Sequence, residues 1–298
     1  MWPLKSTIVR SIIQGQWHAA ALISKLEPDW GGQMAVELAL RTRRSSRPVR
    51  LGFCERPHYT ERLNLLGERV AVYRWVGSGP KILLSHGWNS SGLRLYPLVE
   101  ALRSRGYEVI AFDHIGHGES TGQTASLARF ARVVTAMQQH YGPFAAAIGH
   151  SMGAAGLALA RHQHSADLPL ILLAPPADVR RWFAHVAERL GFSHGTYLRM
   201  ERFLERREHI DLNDTPPEVT MAAAGAPSLL LIGNKDREVS PEESRRYQLG
   251  PVQRHEFAAL DHKSICSHPE VLKKMLEWLD SVDGIRPAGS SGPPTTAQ

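Results

Sequence analysis

The chain has 298 residues, 43% hydrophobic and 21% charged, with a formal net charge of +6. That profile excludes a disordered or low-complexity chain and leaves one large α/β domain with an insertion, or two domains. Two cysteines, Cys54 and Cys266, make neither a disulfide framework nor a metal motif, so the expectation is two reduced thiols in a cytoplasmic protein.

In chain order, residues 1–45 read as one or two helices carrying apolar Ile8, Ile12, Trp17, Ala20 and Ala21. Such helices pack on the body or lie on a membrane surface. The polar face is not strongly cationic, which favours packing. Lys5 and Arg10 interrupt the apolar stretch, so no signal peptide is expected, and no segment approaches the length of a membrane span. Arg41, Arg43, Arg44, Arg47 and Arg50 follow as a basic cluster. No helix-turn-helix, zinc-finger or RNA-binding signature accompanies it, so it reads as a solvated linker and no nucleic-acid partner is expected.

Strand-like runs then recur: 70–76, 81–85, 108–112, 144–148, 168–173, 228–232 and 252–257. Helical patterns such as 95–105 and 125–140 separate several of them. The alternation predicts a mostly parallel central sheet covered by helices on both faces. It breaks after Pro175-Pro176. Residues from about 179 to 224 hold no good strand but carry Trp182, Phe183, Phe192, Tyr197 and Phe203 among arginines and glutamates. This is too long for one connection and reads as a helical lid inserted over the carboxyl edge of the sheet, with those aromatics shaping substrate choice. Residues 269–281 form a last helix. The Pro/Gly/Ser/Thr-rich end is expected to be disordered. The predicted organisation is an N-terminal helical segment and basic linker at 1–50, an α/β domain at 51–284 containing the lid, and a tail at 285–298.

The chemistry-bearing motif is Gly149-His150-Ser151-Met152-Gly153, between an apolar run and an Ala/Leu-rich helix. A strand passing straight into a helix must turn sharply. The two glycines relieve crowding there, one against the neighbouring backbone and one against the helix. The turn lifts the serine hydroxyl to the sheet edge, beside a helix N-terminus: a nucleophile elbow, G-x-S-x-G. A serine nucleophile needs a base and a carboxylate to orient that base. Asp236 lies after the strand 228–232, and His262 lies between the last strand and the last helix. Asp178, after the strand 168–173, is the competing acid. His255 and His268 compete with His262 but fall within the last strand and just before the last helix. Asp261 could steady its loop rather than the imidazole. For the developing oxyanion, the backbone N–H groups of Met152 and of Trp88, in His86-Gly87-Trp88-Asn89, are the expected donors. The Trp88 indole could wall an acyl pocket or simply be buried.

Together these stretches resemble the α/β-hydrolase superfamily, most closely its serine-aminopeptidase/monoacylglycerol-lipase-like branch. The resemblance rests on His86-Gly87-Trp88, on Gly106-Tyr107-Glu108-Val109-Ile110-Ala111-Phe112-Asp113, on His114-Ile115-Gly116-His117-Gly118-Glu119-Ser120, on Gly149–Gly153, and on His262 ahead of His268-Pro269. They span roughly residues 80–275 in family order, and the order Ser151, Asp236, His262 matches the family's Ser…Asp…His. The resemblance implies the α/β-hydrolase fold with a lid, the Ser151–His262–Asp236 triad, and no metal or cofactor. It assigns the 113–120 stretch to a structural loop, so His114 and His117 are not catalytic candidates. Ala154 departs from the second glycine usual after the elbow of lipase-like members. The first 60 residues have no counterpart. The implied activity is cleavage of an ester or related acyl bond in a small molecule through an acyl-enzyme. Acyl transfer, C–C or peptide-bond hydrolysis on the same triad, and a non-catalytic binding protein on this fold are the rival readings.

Overall fold

The computed structural model of the protein describes residues 2–44, 56–164, 167–222 and 225–285. Arg47, Arg50, Cys54 and almost all of the expected tail lie outside them. By internal contacts the chain divides into two units, residues 42–177 with 217–298, and residues 1–41 with 178–216.

The larger unit is built on eight strands: β1 (Tyr59–Leu65), β2 (Glu68–Trp75), β3 (Lys81–Ser85), β4 (Glu108–Phe112), β5 (Ala146–His150), β6 (Leu170–Leu173), β7 (Ser228–Gly233) and β8 (Val252–Phe257). Their order is β1-β2-β4-β3-β5-β6-β7-β8. β1 and β2 form an antiparallel hairpin, and β2 runs antiparallel to β4. From β4 to β8 every pairing is parallel. β4, β6 and β7 are buried along their whole length, as strands covered on both faces must be, whereas the edge strand β8 is polar and largely unburied. The edge hairpin was not foreseen. Most of β1 is exposed and its sequence is polar, so it carries no core signal, and Leu66 and Gly67 form its turn with positive φ.

Ile82, Leu84, Val109, Ala111, Ile148, Ile171, Leu173, Leu229 and Leu231 alternate along the strands and share one core. Leu98, Val99 and Leu102 join it from α3 (Tyr96–Arg103), and Met275 and Leu279 from α10 (Pro269–Ser281). The intervening side chains point to the opposite face by the two-residue period of a strand. α4 (Leu127–Tyr141) and α5 (Met152–His164) pack together so closely that a methyl group at Gly156 would meet the Phe130 Cβ at 2.8 Å. Two short helices, α8 (Pro217–Thr220) and α9 (Pro241–Arg245), complete the unit.

The sheet order doubles back at β3. β4 lies on one side of it and β5 on the other, so the loops leaving β3 and β5 emerge side by side at the carboxyl edge. In open parallel sheets that is where a crevice forms.

The smaller unit is helical: α1 (Trp2–Leu26), α2 (Pro28–Ala39), α6 (Val179–Arg189) and α7 (His194–Glu208). Ala35 and Val36 of α2 share a core with Phe183 and Ala187 of α6 and with Met200 and Leu204 of α7. Arg207 pairs with Glu37 at 2.8 Å and Arg199 with Asp29 at 3.0 Å. The insertion is thus helical, as its sequence predicts, and the N-terminal helices are packed against it. Of its five aromatics, Phe183 is buried in this core, Phe192, Tyr197 and Phe203 lean on it, and only Trp182 is largely exposed.

Among the described residues of the basic cluster, Arg44 is not simply solvated. Its guanidinium donates to the carbonyls of Ser120 and Gly122 at 2.5 and 2.9 Å, because that loop leaves carbonyls unpaired in secondary structure. Thr42 Oγ1 donates to Gly116 O at 2.7 Å, and the Arg43 N–H donates to Asn89 Oδ1 at 2.7 Å. Residues 42–44 therefore strap the loops after β3 and β4.

Candidate active site

Ser151 joins β5 to α5 with φ +53°, the left-handed region that a non-glycine residue adopts at a cost of about 1–3 kcal/mol. Its neighbours hold it there. The Ser151 N–H donates to Leu173 O at 2.8 Å, and its carbonyl accepts from Ala154 and Ala155 at 2.9 and 3.2 Å. The flanking glycines are spatial requirements. A Cβ on Gly149 would lie 2.6 Å from the Ala154 backbone, and one on Gly153 would lie 2.4 and 2.5 Å from the carbonyl oxygens of Ser85 and His86. So one glycine faces the helix and the other the neighbouring strand. Ala154 is fully buried in α5.

The loops after β7 and β8 are zipped together. Asn234 donates to Phe257 O and Lys235 to Leu260 O, both at 2.9 Å. This sets Asp236 beside His262, whose Nδ1–H donates to Asp236 Oδ2 at 2.6 Å. The other oxygen of Asp236 accepts the N–H groups of Glu238 and Val239 at 2.8 and 2.9 Å. The side chains of His262 and Asp236 are 8% and 2% exposed, so water does not compete for this bond.

The competing residues are occupied elsewhere. Asp178 caps the N-terminus of α6 by accepting from the Arg181 N–H. Asp261 accepts from the backbone of Lys263 and Ser264, which steadies the loop and lowers its carboxyl pKa. His255 lies within β8, and His268 caps α10.

Met152 is the first residue of α5, so its N–H has no intrahelical acceptor. Gly87, which follows β3, backs onto the serine: a Cβ there would lie 2.9 Å from Ser151 Cβ. Trp88 comes next. Its half-buried indole stacks on Phe130 at 6.2 Å between centroids and meets His117 edge-on. Asn89 follows with φ +53° and accepts the Arg43 N–H.

Three buried histidines and the partly buried His150 lie around this arrangement. His86 donates through Nδ1 to Gly87 O at 2.7 Å and accepts the His114 N–H at Nε2 at 2.9 Å, which fixes the β3 loop against the β4 loop. Burial pushes His86 down to about 4 and His117 to about 3, and holds His114 well below its usual value. All three are therefore neutral packing groups at neutral pH. Asp113 anchors the same region by accepting from Tyr73 Oη and from the Gly92 and Glu119 N–H groups at 2.6–2.8 Å. Burial raises its carboxyl above the usual range.

The fourth, His150, precedes Ser151, and its Nε2–H donates to His262 O at 2.7 Å. The elbow and the His262 loop are therefore in direct contact. Sequence reasoning gave His150 no role, and among fifteen histidines nothing but its place in the elbow could have singled it out.

Among the described residues, no group of three His, Cys, Asp or Glu side chains is arranged to hold a metal ion, and no helix is long and apolar enough to cross a membrane. Cys266 is a buried free thiol, pushed up to about 12 by its burial.

Comparison with known proteins agrees with this architecture. Residues 79–213 match the family described as serine aminopeptidase, S33. Mouse alpha/beta hydrolase domain-containing protein 10 superposes with a TM-score of 0.60 at 20% identity, over 75% of this chain and 97% of its own. A thermophilic esterase from Thermogutta terrifontis gives 0.55 at 21%, over 75% and 99%. A Pyrococcus furiosus esterase gives 0.59 at 18%, over 80% and 98%. No curated protein matches the chain in sequence. The eight-stranded sheet and these structural likenesses show the α/β-hydrolase fold, and the family match over residues 79–213 supports a hydrolase.

Proposed function

We propose that the protein is a serine hydrolase that cleaves an ester or related acyl bond of a small molecule. The observation that carries this reading is the pairing of a buried, bidentately anchored Asp236 with His262, on a loop that touches the elbow bearing Ser151. The esterases among the structural neighbours support the ester as substrate class.

In this reading Ser151 Oγ attacks the carbonyl carbon while His262 Nε2 takes its proton. Asp236 fixes the tautomer with the proton on Nδ1, so that Nε2 is free to accept, and stabilises the imidazolium that forms. The N–H groups of Met152 and Trp88 receive the oxyanion. His262 then protonates the leaving group, and water, activated by the same imidazole, resolves the acyl-enzyme. The inserted helices act as a lid in this proposal.

The test is covalent labelling with a fluorophosphonate together with a panel of p-nitrophenyl esters of increasing acyl length. The wild-type protein should label at one residue, Ser151, and turn over at least one ester. Ser151→Ala should lose both, with kcat down by about 10³ or more. Labelling elsewhere, or turnover that survives in the folded variant, would remove the assignment.

A further inference from the structure

We propose that His150 is the positioning residue of the acid–base group. Asp236 orients the His262 ring from its Nδ1 side, and His150 holds the His262 main chain in place. The proposal rests on the reading of His262 as general base.

A carbonyl oxygen only accepts, so the 2.7 Å contact between His150 Nε2 and His262 O requires the proton on His150 Nε2. That fixes the tautomer of His150. The two imidazoles lie 4.6 Å apart between centroids, tilted by 48°. His262 is thereby held at two points, through its carbonyl by His150 and through Nδ1 by Asp236 at 2.6 Å. With both in place, the remaining freedom of the ring about its side-chain torsions is small, and Nε2 keeps one direction.

The support for His150 itself comes from the rest of the elbow. It closes β5, paired with Leu173 of β6. On its other side the backbone of Gly87 approaches so closely that a Cβ there would lie 3.2 Å from His150 Nδ1. One side chain therefore touches the nucleophile strand, the loop of the expected oxyanion donor and the loop of the base.

Charge completes the argument. When His262 becomes an imidazolium, a second cation 4.6 Å away would oppose it. Burial, and then the neighbouring His262, depress His150 to about 4, while its hydrogen bond to the His262 carbonyl and the Asp236 carboxylate pull the other way. At neutral pH His150 is thus an uncharged donor. Lysine or arginine at this position would donate but would bring the opposing charge.

The experiment compares H150A, H150Q and H150N with S151A in the full chain. It reads kcat and KM on p-nitrophenyl butyrate, normalised to sites labelled by a fluorophosphonate, alongside melting temperature. H150A should lower kcat per labelled site by about 30- to 100-fold with KM within about twofold, because a misdirected base slows chemistry and not binding. Glutamine places an N–H donor at nearly the same reach as Nε2 and should restore kcat to within about threefold of wild type. Asparagine stops short and should behave as alanine does. Should H150A fail to fold, the contrast between Gln and Asn carries the same test. A dead S151A beside H150A or H150N with near wild-type kcat overturns the positioning role alone. So does a folded H150Q as impaired as H150N. Turnover that survives S151A overturns the nucleophile reading and this proposal with it.

Discussion

Replacing Asp236 by asparagine removes one charge and keeps the shape, and the structure dictates what the amide does next. Asp236 Oδ1 accepts two backbone N–H groups, from Glu238 and Val239. The amide oxygen must stay with those donors, which turns the NH₂ toward His262 Nδ1. Nδ1 then has to accept, its proton moves to Nε2, and the imidazole can no longer take a proton from Ser151. The lost attraction can be sized from the contact. At 2.6 Å and an effective dielectric of about 20, unit charges attract by about 6 kcal/mol. Part of that is already present in the resting hydrogen bond, so the loss specific to the transition state is smaller. Asp236→Asn should lower kcat/KM by about 10³- to 10⁴-fold. The assay is esterase turnover near pH 7.5, with circular dichroism to confirm the fold. Asp178→Asn is the control. Asp178 caps α6, so its variant should leave turnover unchanged. A loss under tenfold in folded Asp236→Asn, or a larger loss in Asp178→Asn, would refute this reasoning.

Stability should fall on acidification. His86, His117 and His150 titrate near or below 4 when folded, against about 6.5 unfolded, so between those values the unfolded chain binds more protons. Each then costs about 1.4 kcal/mol per pH unit as pH drops through that window. The raised carboxyl of Asp113 acts in the opposite sense from its unfolded pKa upward. A urea midpoint that stays flat from pH 7 to 5 would count against the buried neutral state of these histidines. Gly153→Ala drives a methyl group onto two backbone carbonyls and should cost about 1–3 kcal/mol while depressing kcat, read by melting temperature and turnover; a fully active, equally stable variant would contradict the elbow geometry. Phe183→Ala should destabilise the helical unit by about 3 kcal/mol, and Trp182→Ala, 48% exposed, should change stability little; chemical denaturation of each variant checks the ranking.

The parallel sheet was legible in the sequence because buried strands are short apolar runs. β3, β4 and β8 begin and end where their composition predicts. The places of Ser151, Asp236 and His262, each past a strand end, were legible from the strand pattern and the elbow motif, while their catalytic roles belong to the proposal. β1 was hidden because an edge strand facing solvent is polar. The joint core of α2 with α6 and α7 was hidden because its halves lie far apart in the chain, and gathering Val36 and Phe183 into one core depends on the fit of helix surfaces. What the insertion's aromatics do is not legible in the sequence for a related reason. Clustered aromatics look the same in sequence whether they line a cleft or fill a core, and here Phe183 fills one.

That shared core matters for anyone building chimaeras from this scaffold. Residues 178–216 are an insertion in the chain but only part of a module in space, completed by residues 1–41. Transplanting the insertion alone would leave Phe183, Ala187, Met200 and Leu204 without the α2 residues that share their core. Deleting the first 41 residues would do the same to the native protein. The transferable piece is discontinuous, and both segments have to move together.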